Sequence, residues 1–122
     1  MQLSKIESNN CVTVTGENGA ELLRYSVNEI SGITVLSVFG SIRTLVAPYF
    51  NEGLLDLLRK TDALTIDFGS VSYIASAGLR TLLEAQELVD DSEGKTMKII
   101  NVNAEVMSVF ESTGFSNLLE IE

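Results

Sequence analysis

The sequence predicts an α/β fold: a mixed, mostly parallel sheet of four to six strands, with helices packed mainly on one side. The first observation is the order of hydrophobic patterns along the chain, which reads β-β-β-α-β-α-β-α. Strands separated by helices are joined by parallel crossovers, whereas strands joined by short turns pair antiparallel. The second observation is a length of 122 residues with 45% hydrophobic residues, which suits one globular domain.

Five segments have the patterns of strands. Apolar and polar residues alternate in Cys11–Thr15, and a second strand is expected from about Leu22 to Ile30. The run Ile33–Phe39 is short, rich in β-branched residues and mostly apolar, which is typical of a central strand. Two further strands are expected at Ala63–Phe68 and Thr96–Val102.

Three segments have helical spacing. The first begins near Thr44, with Pro48 in its first turn, where the missing N–H of proline costs little. Its apolar stripe consists of Val46, Phe50, Leu54, Leu57 and Leu58. The second helix is expected from Ser76 to about Asp90. Asn103 is placed to cap the third helix, and Gly114 is placed to end it.

Charge and composition exclude several classes of function. The formal net charge of -9 repels phosphate groups, so neither nucleic acid nor an anionic membrane surface is expected as a partner. No apolar run reaches the ~18 residues of a membrane span, so no membrane insertion is expected. The chain has no histidine, which excludes His-based catalysis and His metal sites. Cys11 is the only cysteine, which fits a cytoplasmic protein, and no cofactor or metal is expected.

The corner around Ser76 is the strongest candidate for a working site. Ser76 stands just before Leu79, the first inward residue of the second helix, and is therefore expected as the N-cap. Ala77 and Gly78 are small, so another surface can approach the helix end closely. A phosphate on Ser76 would lie at the positive end of the helix dipole. On spacing alone, the more common interpretation is a cap without any further role.

Three short motifs occur in order in the later part of the chain. Val38–Ile42 resembles a Gly-Glu-Ile/Leu-Asp strand end, and Ile74–Leu79 resembles Asp-Ser-Ser/Thr/Ala-Gly-Leu opening a helix. Asn101 leads into the third helix, after which Ser112–Phe115 resembles a closing Thr-Gly-Leu/Phe turn. This ordered set is similar to the anti-sigma factor antagonist (STAS) family over roughly residues 25–121.

The resemblance implies a STAS-like fold and a regulatory binding module in residues 25–122, with residues 1–24 as an N-terminal extension that adds a strand or hairpin. It implies binding to an anti-sigma factor, often also a serine kinase, and release when Ser76 is phosphorylated. The residues expected to contact this partner are Arg43, Tyr73, Ala75, Ser76, Ala77 and Gly78. An edge strand used for self-association is an equal alternative for the first hairpin, so a homodimer is left open.

The sequence departs from the family motif at three positions. Ala75 replaces the acidic or hydroxyl residue before the phosphorylated serine, Ala77 replaces a frequent second Ser or Thr, and Arg43 replaces Asp. The alternative is therefore a STAS scaffold, or a subunit of a stress-signalling or lipid-transport complex, that is not phosphorylated. An enzyme is not expected, because Asp67 and Glu84, the two carboxylates that could form an acid–base pair, are better explained as structural or solvated.

Overall fold

Six strands form a single sheet, and their order across the sheet is their order along the chain. The computed structural model describes residues 2–122. The strands are β1 (Ser4–Ser8), β2 (Cys11–Thr15), β3 (Glu21–Ile30), β4 (Ile33–Ile42), β5 (Ala63–Ile74) and β6 (Thr96–Ile100). The helices are α1 (Ala47–Lys60), α2 (Ser76–Asp90) and α3 (Ala104–Ser112), followed by one short 3₁₀ turn at Phe115–Asn117.

The predicted α/β class with a mixed sheet is confirmed, but antiparallel pairings outnumber parallel ones. β1 to β4 pair antiparallel, and only β4–β5 and β5–β6 pair parallel. Two tight turns explain the difference from a mostly parallel sheet. Asn9 and Asn10 join β1 to β2, and Ser31 and Gly32 join β3 to β4, all with positive φ. Such turns match the twist of hairpin strands and keep their neighbours antiparallel.

The helices pack on one face of the sheet, as predicted. α1 and α2 each connect two parallel neighbours, and right-handed crossovers place both on the same face. On that face β5 buries Leu64, Ile66 and Phe68. α3 adds Phe110, whose ring centroid lies 6.3 Å from that of Phe68. One continuous core therefore holds the ends of β4 and β5 in place.

The helix ends of α1 and α3 follow the sequence signals. Pro48 lies in the first turn of α1. Asn103 is the N-cap of α3, and its Oδ1 accepts a hydrogen bond from the Val106 N–H at 2.9 Å. Gly114 has a φ of 82°, the left-handed conformation that commonly follows a helix end. All three predictions are confirmed.

β5 is longer than the sequence predicts, and this lengthening positions the candidate site. The expected strand ended at Phe68, whereas β5 continues to Ile74. Val71 and Ile74 are buried and pair in parallel with the end of β4, as Gly40–Val71 and Ile42–Ile74. Irregular register in β4 accommodates the extra residues. No loop of any length therefore separates β5 from α2.

Residues 1–24 contain the hairpin of β1 and β2. β2 pairs with β3, so the hairpin continues the sheet of the remaining chain rather than forming a separate unit. Val14 of β2 is fully buried in the core. The division into an extension and a domain at residue 24 stays a prediction.

Candidate functional site

The Ser76 corner is built where the ends of β4 and β5 meet the first turn of α2. Ile42 pairs with Ile74, and its carbonyl oxygen accepts a hydrogen bond from the Ala75 N–H at 2.8 Å. The hydroxyls of Ser41 and Ser72 are hydrogen-bonded to each other at 2.8 Å. These bonds fix the two strand ends relative to each other, and α2 begins directly from this fixed point.

The N-cap of α2 is Ala75, not Ser76 as the sequence predicted. Ala75 has extended backbone angles, and its carbonyl oxygen accepts from the Leu79 N–H at 3.0 Å. Because β5 runs to Ile74, the helix starts one residue earlier than a serine cap would require. No side chain caps this helix end. The Ser76 side chain is exposed on the first helical residue and has no capping role.

Gly78 is explained by close packing in this corner. A Cβ atom at Gly78 would lie 2.8 Å from both Ile42 Cγ2 and Ile74 Cγ1. Real Cβ contacts are essentially never this short, so a side chain here would displace the helix or the strand ends. The glycine therefore lets α2 lie directly against the ends of β4 and β5.

The residues predicted to contact a partner divide into a surface group and a supporting group. Arg43, Tyr73 and Ser76 are exposed, and Ala77 is half-buried. Ala75 is only 7% exposed and Gly78 is buried. Ala75 and Gly78 thus lie beneath the surface and fix the position of Ser76, and contact of a partner with these six residues stays a prediction.

Arg43 and Tyr73 are brought together at the corner. The Arg43 guanidinium lies over the Tyr73 ring, 5.7 Å from its centroid. Tyr73 is 48% exposed, and Leu45, in the turn between β4 and α1, is 55% exposed. Leu45 was missed in the sequence. Nothing in the sequence around Leu45 distinguishes it from a buried residue, because its exposure depends on the turn in which it lies.

The two acidic residues considered for catalysis do not form a pair. Asp67 Oδ1 accepts from the Gly69 N–H at 2.8 Å and from Asn101 Nδ2 at 3.2 Å, so it stabilises the backbone of β5. Glu84 Oε2 instead accepts from Asn51 Nδ2 at 3.3 Å. Across residues 2–122, no three His, Cys, Asp or Glu side chains lie close enough together to hold a metal ion.

A wide cleft lies away from the corner, between the β1–β2 hairpin and α1. Its volume is about 880 Å³, and Lys5 bridges Glu7 at 3.1 Å and Glu52 at 3.0 Å within it. The hydrogen bonds that Lys5 donates to Glu52 and Glu7 raise the pKa of Lys5 above its usual range. Burial raises the pKa of Tyr25, which also lines the cleft. The cleft is wide and the charge of Lys5 is paired with two carboxylates within it, so the corner remains the candidate site.

Comparison with known proteins agrees with this geometry. The family model described as the STAS domain matches residues 24–122. The chain belongs to the STAS domain family. Such domains are typically regulatory modules rather than enzymes. None of the curated protein sequences matches the chain. Within the described residues, no helix is both long and apolar enough to cross a membrane.

Three solved structures have the same fold as this STAS domain. An anti-sigma factor antagonist from Mycobacterium paratuberculosis is 19% identical, with a TM-score of 0.75 and 88% of each chain covered. A putative one from Thermotoga maritima is 17% identical, with a TM-score of 0.72, covering 80% of this chain and 84% of that one. Phosphorylated SpoIIAA, a Bacillus cell fate determinant, is 13% identical, with a TM-score of 0.61, covering 80% of this chain and 90% of that one.

Proposed function

We propose that this STAS domain is a regulatory binding module similar to an anti-sigma factor antagonist. In this proposal the Ser76 corner binds an anti-sigma factor that is also a serine kinase, and phosphorylation of Ser76 releases it. The module works in the cytoplasm, where sigma factors act, and it catalyses no reaction itself. Membership of the STAS family and the likeness to solved anti-sigma factor antagonists support the partner class.

The observation that carries the proposal is the position of Ser76. Its side chain is exposed on the first residue of α2, and the first turn has no acidic residue that would repel a phosphate. The helix N-terminus favours negative charge, so a phosphate there would not unfold α2. It would add about -1.5 to -2 charges to the surface that a partner contacts. Binding would then depend on the phosphorylation state.

The proposal predicts that a cognate kinase phosphorylates Ser76 and no other residue. The experiment is to incubate the protein with ATP and each purified anti-sigma factor kinase of the source organism, and to measure the intact mass. We expect one added phosphate, which Ser76→Ala abolishes. The matched control is Ser70→Ala, which removes an exposed serine of β5, and this variant should still gain one phosphate.

Binding supplies the second measurement. Unphosphorylated protein should bind the kinase, and Ser76→Asp should weaken that binding at least about 10-fold, because a charge placed in a closely packed interface loses its hydration without gaining a partner. A protein that gains no phosphate and binds equally well as Ser76→Asp would contradict the switch.

Two departures from the family motif favour a second candidate function, that of a STAS scaffold or complex subunit that is not phosphorylated. Ala75 has no acidic or hydroxyl group for a kinase to recognise, and it is buried. Arg43 places a positive charge at the corner, where the family motif has Asp. Constitutive binding to stress-signalling or lipid-transport proteins, with no phosphate gained in the mass experiment, would favour this candidate.

A further inference from the structure

The two chain segments that build the Ser76 corner have a charge opposite in sign to that of the whole protein. Residues 41–51 and 69–83 contain Arg43 and Arg80 but no Asp or Glu. The complete chain has a formal net charge of -9. These segments therefore present positive charge on an otherwise acidic molecule.

Within the part of the chain that the structure describes, neither of these two arginines forms an ion pair. Within residues 2–122, five of the eight Lys and Arg side chains form ion pairs with carboxylates. The three that do not are Arg43, Arg59 and Arg80. Two of these three lie at the corner, so its positive charge is not neutralised within the molecule.

The placement of the two arginines suits contact with another surface. Arg80 follows Ser76 by four residues on α2, and both side chains are exposed, so they share one face of the helix. Arg43 is held over the Tyr73 ring, which leaves the edge of its guanidinium open to hydrogen-bond acceptors. Arginine forms paired hydrogen bonds with carboxylates through this edge.

Two exposed apolar side chains complete the surface. Leu45 follows Arg43 by two residues in the same turn, and Tyr73 lies under the Arg43 guanidinium. Tyrosine and arginine are the residue types that most often carry the binding energy of a protein interface. A partner that covers Leu45 and Tyr73 would also bring its own side chains next to Arg43.

We infer that the Ser76 corner docks onto an acidic surface of its protein partner, whose carboxylates pair with Arg43 and Arg80 around an apolar contact at Leu45 and Tyr73. The inference rests on the proposed function and adds the chemistry of the partner. It also gives the switch a mechanism. A phosphate on Ser76 would pair with Arg80 on the same helix face and repel the partner's carboxylates.

The test compares charge variants in binding to each purified anti-sigma factor kinase of the source organism. Arg43→Glu and Arg80→Glu should each weaken binding about 10-fold or more, because like charges across an interface are unfavourable. Arg43→Lys should lose much less, since the positive charge is kept. The matched control is Arg59→Glu, the ion-pair-free arginine in the last turn of α1, which should bind like the wild type. Thermal unfolding confirms that each variant is folded.

The outcomes separate this inference from the proposed function. Rescue of the Arg43→Glu variant by a Glu→Lys change in the kinase would support the inference. If Ser76→Asp abolishes binding but Arg43→Glu and Arg80→Glu bind as tightly as wild type, the acidic partner surface is overturned and the switch stands. If no kinase binds the wild-type protein, the proposed function is overturned, and the inference with it.

Discussion

At the scale of single residues, Gly78 is the position where local preference and packing disagree most clearly. Alanine is preferred over glycine within a helix by about 1 kcal/mol. A Cβ atom at Gly78, however, would lie 2.8 Å from Ile42 and from Ile74, which are both buried. Overpacking of a core costs about 1–3 kcal/mol, so packing outweighs the helix preference.

We therefore predict that Gly78→Ala lowers the free energy of unfolding by up to about 2 kcal/mol, the packing cost less the helix gain, measured by urea unfolding. The control is Ser108→Ala, an exposed position on α3 where the same side chain should change stability by less than about 0.5 kcal/mol. A Gly78→Ala protein more stable than the wild type would contradict the close contact between α2 and the strand ends.

The site could be located from the sequence, but its details could not be. The motif around Ser76 identified the corner, and Arg43 and Tyr73 do meet there. The N-cap was misassigned because the extension of β5 to Ile74 depends on pairing with β4, and long-range pairing leaves little local signal. Leu45 was missed because burial cannot be read from a single apolar residue.

At the scale of elements, Asn103 links α3 to the end of the sheet with both ends of its side-chain amide. Its Oδ1 accepts from the Val106 N–H at 2.9 Å, and its Nδ2 donates to the Val71 carbonyl oxygen at 2.7 Å. The first bond caps α3, and the second attaches the cap to β5. The sequence predicted the cap from spacing, whereas the second bond spans 32 residues along the chain and had no local signal.

We predict that two variants at Asn103 distinguish the contributions of its two hydrogen bonds. Asn103→Ala removes both and should cost about 1–2 kcal/mol for the cap and about 1 kcal/mol for the bond to Val71. Asn103→Ser keeps the cap acceptor but is too short to reach Val71, so it should cost only about 1 kcal/mol. Urea unfolding gives the two costs, and hydrogen exchange should show faster opening of α3 in the alanine variant. Equal costs for the two variants would contradict a contribution from the cap.

At the scale of the whole molecule, the sequence was sufficient to predict the fold class. It was insufficient to predict how many strand pairs are parallel and how many are antiparallel. The alternation of strand and helix patterns determined the parallel part, because a helix between two strands leaves little choice of direction. The strand β1 and the Asn9-Asn10 turn that joins it to β2 were not predicted. The residues of β1 are all exposed, so no apolar alternation marks it.

The hairpin raises the question of whether the STAS domain is complete without residues 1–24, since the family match begins at residue 24. β1 is exposed throughout, and its Lys5–Glu52 ion pair is of the surface kind that contributes about 0–1 kcal/mol. β2 differs, because Val14 is fully buried and pairs with Leu23, which is also fully buried. The two strands should therefore contribute very differently to stability.

We predict that deleting residues 2–9 lowers the free energy of unfolding by about 1 kcal/mol, whereas deleting residues 2–17 lowers it by more than about 2–3 kcal/mol. The longer deletion removes Val14 and exposes Leu23 and Tyr25, which are buried residues of β3 that pair with β2. Urea unfolding of the two proteins gives the comparison, with the shorter deletion as control for the loss of the chain end. Equal stability of both deletions would instead mean that β3 is the first strand that the core needs, and that the β1–β2 hairpin is only an extension of the domain.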